Sequence, residues 1–290
     1  MASCVQLNNC KLTSTPQQQK SINTMTISNE NTTIRIGRKQ IPPVDSASKV
    51  PLSPTSVQLA LTEACPMRCI HCDLWQTKNQ HLELSTSMWK HVIDDLGCWL
   101  MHRDLHFTGG EPFLRKDFLE LVRYAKSQHN FCISANTSGV MITESILDKV
   151  IEAGFNGLIF SIDGVDGLHG KIRGNNKVFE QNLKTMEALR HHMFVSIATV
   201  IMEPNLDEFC RLIDFAIEVG AAGIGFQPLF QNFGADRDPE WFKKSPIWPK
   251  DPDHVVDVLD AIISRKESGA PVLNSFAQLN LFKHYFHSPL

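Results

Sequence analysis

"LTEACPMRCIHCDLW", residues 61–75, sets Cys65, Cys69 and Cys72 within eight positions. An apolar run rich in strand formers, "VQLALTE" (57–63), leads into it and reads as a strand. The thiols therefore belong to the loop at that strand's carboxyl end, where parallel α/β folds gather their ligands. A closed structural zinc site takes four ligands, and here only His71 stands by as a fourth. Three thiolates on a four-iron cubane would instead leave one iron open to an outside molecule, as catalytic zinc keeps an open position.

Working outward, short apolar runs alternate with helical patterns. "DLHFTGGEP" (104–112), "FCISANT" (131–137), "GLIFSIDG" (157–164), "FVSIATVIM" (194–202) and "AGIGFQPLF" (222–230) read as strands apolar on both faces. Between them lie helices. Met88, Val92 and Leu96 fall at helical spacing on the first, and Phe118, Leu119 and Val122 on the second. Thr143 caps the third and Gly154 stops it; Phe179, Leu183, Met186 and Leu189 share one face of the fourth. "LDEFCRLIDFAIEVG" is a fifth, and Pro252 opens a last one. Six strand–helix units imply an α/β fold with parallel pairing and right-handed crossovers. Periodicity alone leaves two arrangements open, a doubly wound sheet and an incomplete barrel.

The chain has 290 residues, 42% of them hydrophobic, and a net charge of −3, with no long basic block to track a nucleic-acid backbone. No apolar stretch reaches the roughly 18 residues a membrane-spanning helix needs. Its eight cysteines lack the regular distribution of a disulfide scaffold, which points to a reducing compartment such as the cytoplasm. Cys98, Cys132 and Cys210 fall at apolar positions and read as buried, inert thiols. Residues 1–52 are rich in Ser, Thr, Asn and Gln and read as a disordered polar tail. With no acid before Glu30 and no arginine before Arg35, the same stretch would also suit an acid-poor organelle leader, though an arginine-poor one. Residues 231–251 form a long irregular stretch holding Trp241 and Trp248, either a lid or substrate wall, or a loop packed down by its tryptophans.

Cys65-x3-Cys69-x2-Cys72 directly after the first strand resembles the cluster motif of the radical S-adenosylmethionine (radical SAM) superfamily. The resemblance extends through residues 54–230. It implies a partial (β/α)6 barrel of the TIM type over 53–230, with 231–290 completing or flanking it. It also implies a [4Fe-4S] cluster on the three cysteines, S-adenosylmethionine on the fourth iron, and an oxidoreductase that cleaves the cofactor to a 5′-deoxyadenosyl radical. An electron donor of flavodoxin or ferredoxin type follows from the same likeness, as does a peptide or cofactor-precursor substrate. In "TGGEP" (108–112), Gly109, Gly110, Glu111 and Pro112 match the segment that holds the cofactor's methionine amino group. The two glycines permit a turn that exposes peptide groups. His71 fills the slot of an aromatic residue near the adenine. Ser161 and Asp163 resemble contacts to the ribose and methionine parts, and Arg173 a contact to the carboxylate. Ser138, Thr199 and Gln227 stand at the same rim. The expected reaction needs no catalytic residue beyond the cluster.

The end, "PVLNSFAQLNLFKHYFHSPL", resembles the run-in to a cysteine-rich extension, yet no cysteine follows Cys210. A shortened protein or a fragment is the expectation, and with it a cofactor-binding pseudoenzyme. A zinc-binding α/β protein using His71 is the other alternative.

Overall fold

The structure, a computed structural model, describes residues 24–29, 32–37, 54–77, 82–100, 103–232 and 238–289. The chain divides into two units, Met1–Ser53 and Pro54–Leu290. In the first, β1 (Thr24–Asn29) and β2 (Thr32–Gly37) pair antiparallel, Thr24 opposite Gly37. The rest of the expected polar tail, Cys4 and Cys10 included, lies outside the described residues.

The second unit carries β3 (Ser56–Ala60), β4 (Asp104–Thr108), β5 (Cys132–Thr137), β6 (Gly157–Ser161), β7 (Phe194–Ile201) and β8 (Gly223–Pro228). All neighbours are parallel, and the order across the sheet is the order along the chain. A doubly wound sheet would reverse its order at a switch point. Here it never reverses, and β3 and β8 do not pair, so the sheet is an open partial barrel. The edge of β8 is covered by the later chain. Ile224 N–H donates to Pro271 O (2.9 Å) and Leu273 N–H to Ile224 O (2.8 Å). Asn274 then accepts from Phe226 N–H and donates to Phe226 O (2.7 and 2.8 Å), taking up both backbone groups.

Helices α1 (Thr86–Trp99), α2 (Phe118–His129), α3 (Glu144–Ala153), α4 (Gly167–Arg173), α5 (Val178–Leu189) and α6 (Phe209–Glu218) intersperse the strands. Then come α7 (Trp241–Lys244), α8 (Pro252–Glu267) and α9 (Phe276–His287). The core lies between helices and sheet, built on Leu105, Phe107, Ile133, Ala135, Leu158, Phe160, Val195, Ile197, Ile224 and Phe226. Strand residues that alternate with these, His106, Ser134, Asn136 and Ser196 among them, are only half-buried. The strands are therefore not apolar on both faces: one face is oil and the other is polar.

Three further readings change. On α1 the buried residues are Trp89, Ile93 and Gly97, one position along from Met88, Val92 and Leu96, which are half-buried. Gly97 explains the rotation, since a Cβ there would sit 2.2 Å from Nδ1 of His129. On α2, Leu121 joins Phe118, Val122 and Ala125 in the core while Leu119 is half-buried. Cys98, Cys132 and Cys210 are exposed, not buried: Cys98 and Cys210 lie on the outer sides of α1 and α6, and Cys132 begins β5 on the same face as Ser134 and Asn136. Thr143 and Gly154 bound α3 as read, Gly154 in the left-handed region at φ 89°.

Trp248 packs on Trp241, Phe242, Tyr285 and Phe286 with ring centroids 5.0–5.6 Å apart, so the later part of 231–251 is pinned to α9. Among the described residues no helix is long and apolar enough to cross a membrane.

Candidate functional site

The cysteine loop is clamped from two sides. On one, Gly110 N–H donates to Thr62 O (2.7 Å) and Glu111 N–H to Ala64 O (2.9 Å). The peptide groups expected to face a ligand are spent on the loop instead. The glycines serve close approach: a Cβ on Gly109, at φ 129°, would lie 2.3 Å from Thr62 O, and one on Gly110 would lie 2.2 Å from Ala64 O. Arg115, just beyond, ties the same corner together through Glu83, Asp117 and the Leu61 and Leu84 carbonyls. On the other side, Arg68 N–H donates to Arg173 O (3.2 Å) and Ile70 N–H to Ile172 O (3.0 Å).

Between the clamps Cys65, Cys69 and Cys72 open on one cavity of about 450 Å³ at the carboxyl ends of the strands. Gly109 and Gly110 form part of its wall, Ser138 and Ser161 another part, and His71, Arg173 and Gln227 the rest of the expected set. Four expected contacts do not reach it. Glu111 is fully buried, accepting from Phe113 N–H (3.3 Å), Thr137 Oγ1 (3.0 Å), Ser138 N–H (2.8 Å) and Ser138 Oγ (2.5 Å). Pro112 is buried at the start of a 3-10 turn, Pro112–Leu114. Thr199 is buried and donates to Ile162 O (2.6 Å). Asp163, with no exposed surface, pairs with Arg173, its Oδ2 2.5 Å from Nε, and accepts from Val200 N–H (2.9 Å). These four hold the wall from behind.

Charge and burial set the chemistry. Burial pushes the Cys65 thiol up to about 11 and raises that of Cys69, although Arg173, with Nη1 3.8 Å from Cys69 Sγ, opposes the latter rise. Desolvated thiols of this kind ionise when a cation takes up their charge. Burial also pushes His71 down to about 4, with Arg173 adding to the effect, so its ring is neutral at pH 7. The buried His71 Nδ1 has no hydrogen-bond partner among the described residues. Burial works to raise Asp163, but the Arg173 guanidinium overrides it and holds the carboxyl below its usual range. Burial raises Glu111 against the four hydrogen bonds that favour its ionised form. Among the described residues no three His, Cys, Asp or Glu side chains converge as one metal ion requires. Three thiols around a roomy cavity, with an orphaned imidazole nitrogen beside them, fit a polynuclear group that keeps room for a ligand.

Other residues at this site went unread in the sequence. Asp73 Oδ2 accepts from Asn232 Nδ2 (2.6 Å), joining the cysteine loop to the segment after β8, and both residues line the cavity. Asn205 donates to Asp163 O (2.8 Å) and Val200 O (2.9 Å). Nearness to Cys72 was the available signal for Asp73, and a place at the start of the 231–251 stretch was that for Asn232; Asn205 carried none.

The family profile described as "Radical SAM superfamily" matches residues 59–216. AdoMet-dependent heme synthase of Methanosarcina barkeri is 33% identical over 172 residues, 58% of this chain and 49% of that protein. Mycofactocin maturase MftC of Mycolicibacterium smegmatis is 30% identical over 172 residues, 58% of this chain and 43% of its own length. The chain thus spans about half the length of these relatives. Among solved structures, Streptococcus suis SuiB bound to S-adenosylmethionine aligns with TM-score 0.61 at 14% identity, covering 76% of this chain and 49% of that one. The anSMEcpe structure with bound AdoMet aligns with TM-score 0.62 at 16% identity, covering 76% and 61%. At these identities the two structures speak for the fold.

Proposed function

The chain belongs to the radical SAM superfamily, and from that premise we propose that it is an enzyme of the peptide- and cofactor-maturing branch, with residues 53–230 as its catalytic core. The observation that carries this reading is the single cavity shared by Cys65, Cys69, Cys72 and the Gly109–Gly110 turn. There Cys65, Cys69 and Cys72 would hold a [4Fe-4S] cluster, which when bound would supply the one-electron reducing power that cleaves S-adenosylmethionine and starts hydrogen-atom abstraction from the substrate.

The chain's own residues bind, orient and exclude water. Arg173 lays its charge against Cys69 and faces the cavity, where a carboxylate is its natural partner. His71 offers a neutral ring, and Ser138, Ser161 and Gln227 offer uncharged hydrogen-bonding groups. Asp163, Thr199, Glu111 and Pro112 keep these groups in place. The substrate is a peptide or a cofactor precursor, and the electron comes from a flavodoxin- or ferredoxin-like protein.

Anaerobic reconstitution with iron and sulfide tests the reading. The expected result is a brown, oxygen-sensitive protein that yields 5′-deoxyadenosine when given reductant and S-adenosylmethionine. Replacing all three cysteines by alanine should abolish both. Zinc at one per chain without iron, after anaerobic purification, would overturn the reading in favour of a structural metal site. Cofactor binding with no cleavage would make the protein a pseudoenzyme.

A further inference from the structure

A second cavity of about 460 Å³ lies on the polar face of the sheet. It meets the thiol-lined cavity at Asn136 and Gln227, which line both. From there it runs toward the amino ends of the strands, to Ser56, Asp104 and Cys132, the first residues of β3, β4 and β5. Asn136 lies four residue steps along β5 from Cys132, about 13 Å at the rise of a strand. This is not the packed interior of a closed barrel, which branched aliphatic residues fill in layers.

Its chemistry is uncharged. Gln58, His106, Ser134, Asn136, Ser196 and Gln227 offer amide, hydroxyl and imidazole groups, set among apolar surface from residues such as Ile159, Ala198 and Leu273. His106 Nδ1 is 2.8 Å from Ser134 Oγ, and burial lowers the histidine's affinity for a proton. Asp104 at the far end is the one carboxylate, and among the described residues no lysine or arginine lines the space. A polycarboxylate would bury its charges there without a partner, which is costly. A peptide backbone brings alternating donors and acceptors, which side chains of this kind satisfy.

We propose that this amino-end cavity binds an uncharged, amide-rich peptide segment of about four residues, whose reactive end stands at the thiol-lined cavity. His106, Ser134 and Asn136 are the residues that select it. The placement of the reactive end rests on the proposed radical chemistry; the site itself does not.

Cys132, exposed at the far end, reports occupancy. Its alkylation by N-ethylmaleimide is followed by peptide mass mapping, which separates it from the other thiols. The probes are an acetylated, amidated tetrapeptide of glycine, asparagine and serine, and citrate as the polycarboxylate. The peptide is expected to slow alkylation roughly tenfold at about ten times its Kd, with citrate leaving the rate unchanged. Gly225 faces the cavity, and a Cβ there meets nothing nearer than 3.9 Å, so Gly225→Leu fills the space without striking the backbone. Protection should vanish in that variant. Ala198→Leu, from the neighbouring strand, makes the same test should Gly225→Leu not fold. No slowing by the peptide, equal slowing by citrate, or unchanged protection in the folded plugged variant would each overturn the proposal. The labelling needs neither cluster nor cofactor. A wild-type protein that shows protection yet never cleaves S-adenosylmethionine would therefore sink the proposed function and leave this site standing.

Discussion

The two clamps on the cysteine loop reach the same end by opposite means. At the Gly109–Gly110 turn, backbone meets backbone because side chains are missing. At Arg173 the loop is backed by a buried ion pair, Asp163 with Arg173, and by a hydrogen-bonding shell from Val200 and Asn205. The first clamp is steric and pH-independent. The second is electrostatic, and its stability depends on every member being present. Substitution on either side tells which clamp the site needs more.

The electrostatic side should break hardest. Asp163→Ala leaves the Arg173 guanidinium buried without its counter-charge, a loss of about 3–5 kcal/mol of unfolding free energy. Urea denaturation measures it, and a loss of under about 1 kcal/mol would show that solvent reaches the pair. The steric side comes next. Gly110→Ala drives a methyl into the Ala64 carbonyl, and because that obstacle is backbone it cannot swing aside. An overpacking cost of about 1–3 kcal/mol follows, together with loss of iron retention after reconstitution. Normal iron content in the alanine variant would mean that the seam opens freely.

That contrast also explains what the sequence disclosed. Two adjacent glycines after a strand, and three cysteines in tight spacing, are visible without a structure because rare residues at fixed offsets need no fold to be noticed. The alternation of strands and helices was equally plain, since hydrophobic periods survive in one dimension. Asp163 and Thr199 looked like contacts because the family resemblance assigns their positions to the cofactor's rim. Which way they turn depends on barrel curvature and register, and both turn inward to the wall. The polar face was missed for a related reason: Ser134, His106 and Ser196 are too small or too few to break the apolar look of their strands. On α1 the hydrophobic residues span more than one face. Only the His129 ring against Gly97 decides the rotation, a contact made across 32 residues of chain.

Acid should separate the clamps. His169, fully buried near the ion pair, accepts from Asp163 N–H (3.3 Å) and is pushed down to about 4 by burial, with Arg173 adding to it. The unfolded chain binds this proton below its ordinary value of about 6.5, whereas the folded chain resists it until about 4. The stability contributed by the neutral ring is therefore complete above pH 6.5 and drains away as the pH falls toward 4. Between pH 6.5 and 5 the loss is about 2 kcal/mol. Denaturation midpoints of the metal-free protein at the two pH values check it, with His169→Gln expected to remove about half of the slope, the other half belonging to His71, which burial pushes down to about 4 as well. An equally steep slope in that variant would assign the acid sensitivity elsewhere.

The smallest effect is the most specific. Arg173→Lys keeps a positive charge for Asp163 but gives up the planar fork that lets one side chain face both the carboxylate and the Cys69 sulfur. A donor near a cluster sulfur favours the reduced, more negative state. Losing one charge-assisted hydrogen bond, about 1.4 kcal/mol, should move the midpoint potential of the reconstituted cluster roughly 60 mV negative. A redox titration followed by electron paramagnetic resonance reads that shift directly. A purely structural arginine would lower the yield of cluster and leave its potential where it was; a shift at normal iron content instead means that the same guanidinium which locks the wall also tunes the metal.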